Sequence, residues 1–112
     1  MDTLEQLRDD VLATADAWNE AGEDYEKFYE LIDSSLDLEF NINQRGEFSG
    51  YELAVTLGGP SVYIKQKMGF DAQVNGYSWG ETFSDALNSD VSAMLWDTIS
   101  ELWEGTKEGM LK

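Results

Sequence analysis

From residue 36 onward, apolar and polar side chains alternate: Leu36, Leu38, Phe40 and Ile42 against Asp37, Glu39, Asn41 and Asn43. A period of two sends successive side chains to opposite faces, so this stretch predicts a half-buried strand. Gln44-Arg45-Gly46 then supplies turn chemistry, with Ser49 and Gly50 shortly after. A second alternation sets Tyr51, Leu53, Val55 and Leu57 against Glu52, Ala54 and Thr56. Gly58-Gly59-Pro60 breaks it, Gly59 being the residue expected to take a positive φ. Val62 and Ile64 restart the apolar set opposite Tyr63 and Lys65. Gln73 to Trp79 reads as a fourth strand of ambiguous facing, because Val74 favours one register while Tyr77 and Trp79 favour the other. Gly80 to Leu87 reads as a loop. The pattern predicts an antiparallel meander with one wet face, whose dry face other elements must cover.

The flanking segments carry the helical period instead. Leu4, Leu7, Val11, Ala15 and Trp18 step by three and four over residues 3–20, and Gly22 ends the run. Glu23 to Asp33 predicts a second helix with Tyr25, Phe28, Leu31 and Ile32 inward. Asp90 to Glu104 predicts a last one, with Val91, Leu95, Ile99 and Leu102 on one face and Gly105 and Gly109 fraying its end. The expected fold is α+β: one domain over residues 1–112, a four-stranded meander packed by N-terminal helices and one C-terminal helix.

Charge changes this picture more than composition does. The chain carries 23 acidic residues against 7 basic, formally −16. Residues 1–42 hold 13 acids and 2 bases, residues 43–80 hold 3 of each, and residues 81–112 hold 7 acids and 2 bases. The negative charge therefore lies in the helical flanks and the first strand. On the helices it forms rows: Glu5, Asp9 and Asp16; then Glu23, Glu26, Glu30 and Asp33; then Asp97, Glu101 and Glu104. Like charges at i and i+4 repel by a few tenths of a kcal/mol per pair, so stability alone would intersperse lysines. Rows stepping about 4.5–6 Å along rigid helices are comparable with the phosphate spacing of a nucleic-acid strand. They suit a lysine- and arginine-rich groove built for DNA or RNA. Two plainer explanations stand beside this one, a merely solvated acidic face and the acidic proteome of a salt-adapted cell. Against the second, Glu (12) slightly outnumbers Asp (11) and the middle of the chain is neutral.

Other chemistry finds little support in the sequence. With no cysteine and no histidine there is no thiolate, no imidazole base and no imidazole metal ligand, the commonest kind. Asp33, Asp37 and Glu39 do not match a calcium loop. Paired carboxylates such as Asp9/Asp10 fall where the periodicity puts solvent, and acid–base work needs one of them desolvated. The expectation is a non-enzyme without cofactor or metal. No apolar run reaches membrane-spanning length and no basic signal segment opens the chain, so a cytoplasmic protein is expected. Tyr63, Tyr77, Trp79 and Trp96 are expected to be partly exposed, as edge caps of a small core or as interface residues.

Leu36-Asp37-Leu38-Glu39, Arg45-Gly46-Glu47, Val55-Thr56-Leu57-Gly58-Gly59-Pro60, Val74-Asn75-Gly76-Tyr77 and Ile99-Ser100-Glu101-Leu102-Trp103 form a block covering about two thirds of the chain. It resembles small acidic proteins of phages and mobile elements, some of which are anti-CRISPR or anti-restriction inhibitors that mimic nucleic acid. The resemblance implies a DNA mimic acting in the host cytoplasm on a basic nucleic-acid-binding protein, a CRISPR effector or a restriction enzyme. It implies neither direct nucleic-acid binding nor membrane association. An acidic adaptor for a basic protein is the alternative, and the resemblance assigns no residue a role.

Overall fold

The computed structural model describes residues 3–58 and 60–110, so the expected conformation of Gly59 lies outside the described residues. Its order is α1 (Thr3–Ala21), α2 (Tyr25–Ser34), β1 (Asp37–Ile42), β2 (Phe48–Thr56), β3 (Ser61–Lys67), β4 (Gln73–Ser78), β5 (Glu81–Ala86) and α3 (Ser89–Met110). The strands form one antiparallel sheet in the order β1-β2-β3-β4-β5. The α+β meander is as expected, but it has five strands where the sequence predicts four.

The fifth strand occupies the segment expected to be a loop. Its sequence, Glu-Thr-Phe-Ser-Asp-Ala, offers only Phe83 to the core, so the alternation that marks β1 to β3 is missing. Pairing supplies what apolar patterning does not. Ser78 pairs with Glu81 across a two-residue turn of Trp79 and Gly80, both at positive φ (50° and 83°). That turn matches the right-handed twist of a hairpin. The same ladder settles β4: Val74 and Gly76 face the core and Tyr77 does not.

Register defines two faces. Leu38, Leu53, Ile64 and Val74 lie opposite one another across four strands, and Phe40, Tyr51 and Gln66 form the next core row. The helices lie on that side. Val11 and Leu7 of α1 reach Gly76, where a Cβ atom would come within 2.5 Å of Val11 Cγ2 and 2.7 Å of Leu7 Cδ1. Trp96 of α3 stacks against Phe48 and Tyr51, and Trp103 of α3 against Phe40. Phe28 of α2 meets Trp18 of α1 edge-to-face at 5.8 Å. So α1 covers β4 and β5, α3 covers β1 and β2, and α2 seals the end of α1.

Two helix boundaries differ from expectation. Asp24 caps α2, its Oδ1 accepting from the backbone N–H of Glu26 (3.1 Å) and Lys27 (3.4 Å). The helix thus starts at Tyr25, which is turned out, 70% exposed, instead of inward. And α3 runs through Gly105 and Gly109: glycine costs a helix about 1 kcal/mol per residue, which does not end this one. Leu36, Leu57 and Leu102, expected on core faces, are exposed. Leu36 precedes β1, and Leu57 lies past a register shift at Ala54/Thr56.

The core contains a polar network. Tyr51 donates its hydroxyl to Gln66 Oε1 at 2.7 Å, and Gln66 Nε2 donates to the Phe70 carbonyl at 3.0 Å. Burial pushes the Tyr51 phenol well above its ordinary pKa of 10.0. The folded chain therefore keeps a proton that the unfolded chain loses above pH 10, and stability must fall as pH rises past that point. Tyr51→Phe should cost about 1–3 kcal/mol at neutral pH, because Gln66 Oε1 loses its donor. The variant should also lose stability less steeply than the parent above about pH 10. Thermal melts across that range measure both effects. Gly76→Ala should cost about 1–3 kcal/mol by overpacking α1 against β4, read from urea unfolding.

Candidate protein-binding surface

Because the sheet has one apolar face, each helix buries one stripe and leaves the opposite stripe to solvent. On α1 that solvent stripe carries Glu5, Asp9 and Asp16. On α2 it carries Glu26, Glu30 and Asp33, and on α3 Asp97, Glu101 and Glu104; all nine are exposed. Glu23 is exposed too, but it sits in the turn between α1 and α2, because the Asp24 cap starts the helix after it. The expected row of four on α2 is therefore three residues on the helix and one on the turn. All ten residues lie on the helical layer, and α1 touches both α2 and α3.

Little neutralises them. Among the described residues only Asp9 of the ten has an ion-pair partner, Arg8 Nε at 4.0 Å. An exposed pair at that distance adds little. Along α2 the axial step from Glu26 to Glu30 is about 6 Å and from Glu30 to Asp33 about 4.5 Å. On α3, a helix of 22 residues, the row from Asp97 to Glu104 spans about 10.5 Å.

The opposite side of the sheet has a different character, which sequence patterning did not separate from ordinary wet surface. Glu39 lies directly opposite Glu52, a like-charge pair that costs stability, and Lys65 lies next in the same row. Lys65 Nζ reaches Glu52 Oε1 at 2.9 Å and donates to the Tyr77 hydroxyl at 3.0 Å, 5.4 Å from that ring's centroid. The hydrogen bond to Tyr77, and then that to Glu52, hold the ammonium above its ordinary pKa. The lysine is thus a fixed cation throughout the neutral range. A groove of about 360 Å³ opens here between Asp37, Glu39, Glu52, Leu57, Tyr63 and Lys65.

The one residue with positive φ that is not glycine, among those described, is Trp79, and it is 91% exposed. Its exposure was expected; its strained position was not, since the flanking polar strand hides the hairpin. The Trp-Gly pair closing two paired strands was the available signal. Tyr63, Tyr77 and Trp96 are partly exposed, as expected.

Among the described residues, no three of His, Cys, Asp and Glu converge closely enough to hold a metal ion, and no helix is long and apolar enough to cross a membrane. What the helical layer can do chemically is present a dense, fixed negative field to a positively charged surface. No family model, no curated protein and no solved structure matches the chain.

Proposed function

We propose that the protein is a non-enzymatic inhibitor of bacterial defence, phage-encoded and of the anti-CRISPR type. In this reading it docks its acidic helices into the nucleic-acid channel of a basic nuclease. The observation that carries the proposal is the placement of ten exposed carboxylates on one helical layer, with one weak ion pair among them. A surface that repels itself is retained at a cost to stability unless something uses the charge. A channel lined with lysine and arginine uses it by exchanging bound nucleic acid for fixed carboxylates. Glu5, Asp9 and Asp16 on α1 with Glu23, Glu26, Glu30 and Asp33 form the first ridge. Asp97, Glu101 and Glu104 form the second.

Association driven this way is fast, salt-sensitive and competitive with the nucleic acid of the channel. In a DNA-cleavage assay with a CRISPR effector that the parent inhibits, Glu26→Lys/Glu30→Lys should weaken inhibition by about two orders of magnitude through like-charge contacts. Its melting temperature should change by only a few degrees, since both side chains are exposed and relief of repulsion along α2 offsets the loss of the Glu26 carboxylate from its first turn. Undiminished inhibition by the charge-reversed protein would refute the mimicry. Raising NaCl to about 0.5 M should raise the melting temperature of the parent more than that of the variant, because more repulsion is there to screen.

A further inference from the structure

The side of the sheet turned away from the helices is not uniformly polar. Tyr63 and Tyr77 meet edge-to-face across β3 and β4, with centroids 6.0 Å apart. Tyr63 lines the 360 Å³ groove, and Tyr77 lines a second hollow of about 510 Å³ with Gly58, Ser61, Thr82 and Trp79. Leu57, 54% exposed, lies at the rim of the first. The touching rings make the two hollows one surface, running from Glu39 at the β1 edge to Trp79 at the hairpin tip.

Trp79 is the residue there that local rules would not choose. Its place in the two-residue turn favours Asn, Asp or Gly, which accept positive φ. A bulky side chain strains that position, and at 91% exposure its ring recovers almost no packing within the chain. A strained, exposed indole gains its contacts when something else covers it. The charge of the surface says what. Three carboxylates, Asp37, Glu39 and Glu52, face a single lysine, whose ammonium is already held by Glu52 and Tyr77.

We propose that this face docks an arginine-bearing polypeptide segment of the partner protein, with Trp79 as the anchor. A guanidinium satisfies both features of the surface, pairing with carboxylates and stacking on the tyrosine rings. Phosphates, whether of nucleic acid or of anionic lipid, meet carboxylates of their own sign. The assignment rests on the basic-partner reading above, yet it uses the sheet where that reading uses the helices.

The test is fluorescence anisotropy of a dye-labelled short synthetic peptide alternating arginine and leucine, at about 0.15 M salt, where exposed charges beyond about 8 Å are screened. Trp79→Asn should weaken binding roughly tenfold or more. It should leave the melting temperature equal or higher, since Asn suits the turn. Glu26→Lys/Glu30→Lys should change peptide affinity less than about threefold. Unaltered binding by Trp79→Asn overturns the proposal, as does a lowered melting temperature of that variant. Equal affinity for a lysine–glycine peptide of the same length overturns it too, as generic attraction between opposite charges. So does binding that is lost on helix charge reversal but kept in Trp79→Asn, a result that leaves the helical reading standing. Uptake of the parent, but not of Trp79→Asn, by phosphatidylcholine vesicles would assign the tip to lipid instead and overturn it as well.

Discussion

At Gly76 the backbone of β4 comes so close to Leu7 and Val11 of α1 that a single methyl group would collide with both. That seating is possible only where a strand offers no side chain, and it brings the first helix down onto the β4–β5 side of the sheet. Trp96 and Trp103 bring α3 down onto the β1–β2 side, against Phe40, Phe48 and Tyr51. With both helices committed to one face, the sheet has an inside and an outside. The core-facing row Leu38, Leu53, Ile64 and Val74 and the outward row Glu39, Glu52, Lys65 and Gln73 follow from the same register.

The two outer surfaces then inherit different chemistry. The helical layer is polar because its apolar stripes are spent on the core, and its charged positions are mostly carboxylates. Their mutual repulsion is small per pair, but the pairs recur along three helices. The sheet face neutralises only part of its charge, with Lys65 set between Glu52 and Tyr77, two tyrosine rings beside it, and Asp37 and Glu39 lining the same groove. A protein that meets a basic partner with the first surface still has the second available. The two are separable by substitution because no side chain belongs to both.

Most of the scaffold was legible in the residue pattern, for a physical reason. β1, β2 and β3 each pair one dry face with one wet face, so period two survives in the sequence. α1 and α3 show their buried stripes at Leu7, Val11, Ala15 and Trp18 and at Val91, Leu95 and Ile99. What escaped was structure made by pairing alone. β5 has one apolar core residue, Phe83, and is held by its ladder to β4 and by the Asn88 N–H donating to Asn19 Oδ1 at 2.8 Å. Tyr25 was misplaced because Asp24 takes the capping role and shifts the start of α2. The exposure of the acidic rows was legible, since it follows from helix periodicity, although Glu23 lies in the turn before α2 instead of on the helix. The Lys65 cluster and the strained turn at Trp79 were not, because each depends on cross-strand register that no local pattern reveals.

The central claim is that the acidic helical layer competes for a surface built to hold nucleic acid. Affinity capture tests it most directly. The protein is immobilised, a lysate of a CRISPR-bearing bacterium is passed over it, and bound proteins are challenged with excess DNA. The expected result is retention of a nucleic-acid-binding nuclease that DNA displaces and that the charge-reversed protein does not retain. Capture of a nuclease that stays bound under excess DNA, or equal capture by the charge-reversed protein, would contradict the claim.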